Sequence, residues 1–86
     1  MRAVHKYQLR KTDQTIVSMP KYAQIVHVGM QNDNLIMWAV VDTENPPENR
    51  VFNLRVTGGE VAEGESHVAT FIDDWFVGHV FEETER

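Results

Sequence analysis

The stretch NDNLIMWAVVD, residues 32–42, constrains this chain more than any other. Three turn-forming residues lead into Leu35, Ile36, Met37, Trp38, Ala39, Val40 and Val41, apolar without a break. A strand sends successive side chains to opposite faces, so this one is apolar on both. A chain of 86 residues must therefore cover two faces of a single strand.

The segment 75–82 sets the same problem, with Trp75, Val77, His79 and Phe81 on one side and Phe76, Gly78 and Val80 on the other. The segment 50–57 does not. Phe52, Leu54 and Val56 alternate with Val51, Asn53, Arg55 and Thr57, the pattern of a sheet with one wet face. On that reading Leu54 is a core position and Asn53 faces solvent.

Seven β-rich runs fall at 4–10, 14–19, 24–31, 34–42, 50–57, 66–73 and 75–82, and no window shows an apolar period of 3.6 residues. KTDQ is a turn, QNDN a tight hairpin turn of the kind that tolerates positive φ, and Asp73-Asp74 closes a further hairpin. TENPPEN reads as a loop, because Pro46 and Pro47 cannot donate to a ladder. Residues 58–66, GGEVAEGES, make the longest loop. The expectation is a single all-β domain over residues 1–86, a small barrel or two-layer sandwich of about seven mostly antiparallel strands.

Composition narrows the setting. Hydrophobic residues make up 42%, charged residues 24%, and the net charge is −5, which is ordinary for a globular domain. There is no cysteine, so neither disulfides nor thiolate metal sites reinforce a small core. Oligomerisation is the usual remedy, and a two-fold dimer its commonest form. The N-terminus has no apolar signal core, and the longest apolar run is far shorter than the ~20 residues that span a bilayer. These features point to a soluble cytoplasmic protein without a membrane partner. The acidic balance argues against nucleic acid, since counterion release needs clustered Lys and Arg. Basic residues gather early, at Arg2, Lys6, Arg10, Lys11 and Lys21, and acidic ones late, at Glu82, Glu83 and Glu85.

Chemistry is sparse. His27 and His79 sit in apolar runs beside Gly29 and Gly78, and would form a ligand site if their strands were neighbours. The backbone of Gly58 and Gly59, in TGGE, offers a weak anion nest. No histidine pair has the close spacing that puts two metal ligands on one strand face, so no metal and no cofactor is expected. Ser66 and His67 are adjacent and point opposite ways on a strand, which rules out a nucleophile–base pair. The residues support no enzyme.

Four segments carry a resemblance: HKYQL, then DQTIVSMPKYAQIVHVGMQNDNLIMWAVVD, RVFNLRVTGGEV and HVATFIDDWFVGHVFE. Together they resemble a family of small phage and prophage proteins of unknown function, over nearly the whole chain. The glycine loop VTGGEV and the segment VATF depart from that family's pattern. The resemblance implies a phage or prophage origin and transfers no activity. The expected function is a non-enzymatic phage accessory protein that binds a host factor, a defence component or its signalling ligand. The alternatives are a virion or assembly component, or a single-stranded nucleic-acid-binding module. The second apolar face is covered either from within, by the N-terminal strand and the 58–66 loop, or by another subunit with Trp38 or Trp75 as the anchor.

Overall fold

The computed structural model describes residues 1–74 and 76–84. Seven strands follow one another: β1 (Arg2–Leu9), β2 (Gln14–Pro20), β3 (Gln24–Gln31), β4 (Asn34–Asp42), β5 (Pro47–Val56), β6 (Glu65–Asp73) and β7 (Phe76–Glu83). Every pairing is antiparallel, in a three-stranded sheet β1-β4-β3 and a four-stranded sheet β2-β5-β7-β6. The sheets stack with β3 on β6 and β2 on β4, and neither closes on itself. The fold is a two-layer sandwich. No helix among the described residues is long and apolar enough to cross a membrane.

The inward row of β4 is Leu35, Met37, Ala39 and Val41, all buried. Val17 and Met19 of β2, Phe52 of β5, Phe71 of β6 and Val80 of β7 join it in one core cluster. Alternation placed Phe52 correctly, and Leu54 packs beside it. Val56, at the strand end, is 53% exposed. The other face of β5 departs from the expected wet one, since Asn53 is only 3% exposed.

Local chemistry explains the turns. Asn32 and Asp33 have φ of 50° and 66°, so the β3–β4 hairpin takes the turn whose twist matches its strands. Asp74, at φ 52°, lies in the β6–β7 hairpin. The TENPPEN loop is shorter than expected, because β5 begins at Pro47, opposite Pro20. Both prolines lie at the end of the ladder, where a missing N–H costs little, and Lys21 N–H closes the end on the Pro46 carbonyl at 2.9 Å.

Two devices fix the packing of β7. Gly78 stands opposite Phe71, and a Cβ on it would fall 2.6 Å from ring carbon Cε1. The buried Phe71 ring therefore occupies the room that glycine leaves. Arg50 grips Glu82 with two bonds, from Nε at 2.6 Å and Nη2 at 2.8 Å, and donates from Nη1 to the Ala23 carbonyl at 2.7 Å. This joins β5 and β7 to the connection between β2 and β3. The carboxylate bonds hold the guanidinium pKa above its usual value against the opposing effect of burial.

The last strand in chain order, β7, lies between β5 and β6, which run parallel to each other. β5 ends opposite Gly78, whereas β6 begins opposite Glu83. Residues 57–64 must therefore cross β7 and travel back along it by about 17 Å, at ~3.4 Å per residue.

Candidate functional site

The two histidines singled out from the sequence do not converge. His27 lies on β3 in the three-stranded sheet and His79 on β7 in the four-stranded one. Each points outward, on opposite sides of the sandwich, so no ligand can bridge them.

On the outer face of the three-stranded sheet, the pairing register shifts between Ile25 and His27 and brings His27 opposite Trp38. Their rings lie 5.7 Å apart. The imidazole folds over Gly29, where a Cβ would come within 2.9 Å of Nε2. Lys6 Nζ reaches across β4 to Gln31 Oε1 at 3.1 Å, and Gln8 Nε2 reaches Asn34 Oδ1 at 3.2 Å. These long polar side chains roof Ile36, which is 6% exposed although it points away from the core. β1 lies beside β4 rather than over it, so the N-terminal strand does not supply the cover from within that was the alternative to a second subunit. The roof is partial. Trp38 and Val40 stay half-buried, and Val4, opposite Val40, is 62% exposed.

Tyr22 stands at the end of this face and was not foreseen. It is 86% exposed and has φ 67°, a left-handed conformation in a turn closed by Ala23 N–H on the Pro20 carbonyl. For a bulky residue that backbone is strained. With Arg2, Gln24, Val40, Asp42 and Asn45 it lines an open groove of about 240 Å³. The Asp42 carboxyl there is held below the usual carboxylate range, first by the Glu44 backbone N–H and then by the Met1 ammonium, each at 3.1 Å. A lysine-turn-alanine context carries no local signal for a strained tyrosine.

The opposite face centres on His79. Its Nε2 is 2.9 Å from Thr57 Oγ1 and its Nδ1 is 2.9 Å from Thr70 Oγ1, which in turn meets His67 Nε2 at 3.0 Å. Hydroxyls can donate or accept, so this chain is satisfied with either tautomer of His79. His67 also sets its edge against Phe81, with centroids 5.4 Å apart. Thr57 immediately precedes Gly58 (φ 88°) and Gly59, whose N–H bonds the Val56 carbonyl. Three of the expected site residues, His79, Gly58 and Gly59, thus share one corner, away from His27. Gly78 gives its space to Phe71 rather than to a ligand beside His79. No three carboxylates and histidines gather to hold a metal among the described residues.

Beside this corner lies a polar cluster that alternation misread. Asn53 Nδ2 donates to Glu65 and to Glu83 Oε2, and Gln14 Nε2 donates to Asn53 Oδ1 at 3.0 Å. Arg55 Nη2 bonds the same Glu65 oxygen at 2.7 Å, while the Ala62 N–H takes the other at 3.1 Å. The Glu65 side chain is 4% exposed. Glu65 thereby ties the crossing connection to β5, and Asn53 is buried as the neutral donor between two carboxylates. Trp75, the second expected interface aromatic, lies outside the described residues.

Fold and surface define a small β-sandwich with two separate aromatic and histidine arrays on its outer faces. The chain belongs to the family of a domain of unknown function, DUF7352, which matches residues 1–86. No curated protein and no solved structure matches it.

Proposed function

We propose that this is a small phage accessory protein that acts in the host cytoplasm by binding, through the outer face of its three-stranded sheet. The phage setting rests on the K-Y-x-L, T-I-x-x-M-P, W-A-x-V-D and H-V-F-E segments. The binding role rests on Tyr22. Strained residues persist where the surrounding structure holds them, and they cluster at ligand clamps and other functional sites. Here the strain holds an aromatic ring in solvent beside Val40, at the end of the face that also carries Trp38 and the exposed Val4. The same face suits a two-fold dimer with Trp38 as its anchor, since aromatics dominate interface cores.

Light scattering at micromolar concentration should give twice the chain mass of 9.9 kDa. A monomer mass that does not rise on concentration removes the dimer, and open-ended growth replaces the reading with an assembly component. For binding, affinity capture from infected host lysate is compared between the native chain and Tyr22→Gly. Glycine accepts positive φ, so the variant should be at least as stable in urea. Its loss of the captured protein or ligand is the expected result; unchanged capture would take Tyr22 out of the site.

A further inference from the structure

We propose that the free edge of β1 is a docking rail for an extended acidic segment of a partner protein, which adds to the three-stranded sheet as a fourth strand. The inference rests on the binding role above and supplies the partner's chemistry.

Four strands form sheet edges: β1, β3, β2 and β6. Edges are commonly blunted by bulges or proline. β3 shifts register between Ile25 and His27, β6 shifts between His67 and Ala69, and β2 ends in Pro20. β1 has neither device; its guards are the exposed charges of Arg2 and Lys6, which deter a basic strand but not an acidic one. It pairs with β4 in eight consecutive steps, from Arg2↔Asp42 to Leu9↔Leu35, without a shift.

Among the described residues, no strand pairs with the backbone on that edge. Thr43 N–H donates to the Met1 carbonyl at 2.9 Å, and Arg2 pairs with Asp42, so Met1 and Thr43 form a hydrogen-bonded pair. In an antiparallel ladder such pairs alternate with pairs whose N–H and C=O groups point the other way. Arg2, Val4, Lys6 and Gln8 thus present their backbone groups outward, and all four residues are exposed.

Charge selects the occupant. Lys11, Arg50 and Arg55 each have a carboxylate within 4.0 Å. Among the described residues, Arg2, Lys6, Arg10 and Lys21 have none, in a chain of net charge −5. Three of these four cations lie on β1 or immediately after it. A second copy paired edge to edge would bring the same cations together, and like charges on neighbouring strands are destabilising. An incoming strand with acidic residues beside Arg2 and Lys6, the latter exchanging its bond to Gln31 for a carboxylate, and an apolar one beside Val4, meets side chains and backbone together.

The test is titration calorimetry with an end-blocked Glu/Val peptide, Thr-Glu-Thr-Val-Thr-Glu-Thr, whose Glu, Val and Glu share one face of the strand. Controls are the Lys/Val counterpart and a Glu/Val peptide N-methylated at alternate amides. Glu/Val should bind, and R2E or K6E should each weaken it about tenfold or more. The Lys/Val and N-methylated peptides should not bind. Val4→Pro removes one outward N–H and should abolish binding in a variant whose circular dichroism is unchanged; if that variant does not fold, the N-methylated peptide alone reports on backbone pairing. Absence of Glu/Val binding at millimolar peptide, or equal binding of either control, overturns the inference. So does a dimer that Val4→Pro converts to monomer, which would give the edge to a second copy. If Tyr22-dependent capture persists without Glu/Val binding, the edge proposal fails and the binding role stands.

Discussion

Replacing Gly78 with alanine should lower the unfolding free energy by about 2–3 kcal/mol, the upper part of the usual cost of overpacking a core. The added methyl group would enter the Phe71 ring, whose carbon Cε1 lies 2.6 Å from the new Cβ position. A ring at the end of a mobile side chain would swing aside. Phe71 is 5% exposed and sits edge-on to Phe76, with centroids 6.1 Å apart, so it has nowhere to go. An aromatic laid across a strand glycine is a recurrent way of filling such a gap. Urea denaturation of Gly78→Ala, Phe71→Leu and the double variant checks this. The double variant should be more stable than Gly78→Ala alone. Strictly additive losses would mean that the ring is not what excludes the methyl group.

Arg50→Ala should cost about 3 kcal/mol, at the low end for breaking a buried ion pair. The side chains of Arg50 and Glu82 are 16% and 15% exposed, so water screens them only in part. Removing the guanidinium leaves the Glu82 carboxylate without its two donors and the Ala23 carbonyl without its side-chain donor. It also removes the cation 5.8 Å from the centre of the Phe52 ring. Arg50→Lys keeps the charge but cannot form the fork, and should recover less than half of the loss. Thermal and urea unfolding of both variants, with Glu82→Gln combined with Arg50→Ala, measures this. Removing the stranded charge in the double variant should restore stability relative to Arg50→Ala. A lysine as good as arginine would show that charge alone matters there.

The strands were legible because each is written locally. Apolar runs, the alternation of β5 and the Asn32-Asp33 turn belong to neighbouring residues, and all seven strands formed within a few residues of their expected limits. What was not legible is set by partners distant in sequence. Nothing in segments 24–31 and 75–82 says that they join different sheets, and this separates His27 from His79. Asn53 follows the rule for an outward residue, yet it is buried by Gln14, Glu65 and Glu83, which approach from three other strands. Ile36 is roofed by polar side chains whose aliphatic stems do the work of a second layer, a cover that a count of apolar residues misses. Tyr22 escaped because backbone strain is imposed by the ends of β2 and β3, not by its own chemistry.

The central place of β7 has a consequence for how the molecule is made. β5 and β6 share no backbone ladder, and only residues 76–83, lying between them, pair with both. During synthesis the three-stranded sheet can assemble once β4 has left the ribosome, while the other sheet waits as separate pieces for its middle strand. Its nucleus is therefore assembled from contacts far apart in sequence, which slows folding. During that wait the unpaired sides of β5 and β6 are exposed to other nascent chains, the condition in which aggregation competes with folding. A chain stopped before residue 76 should accordingly emerge as one formed sheet carrying a sticky, unfinished half, rather than as a slightly weakened sandwich.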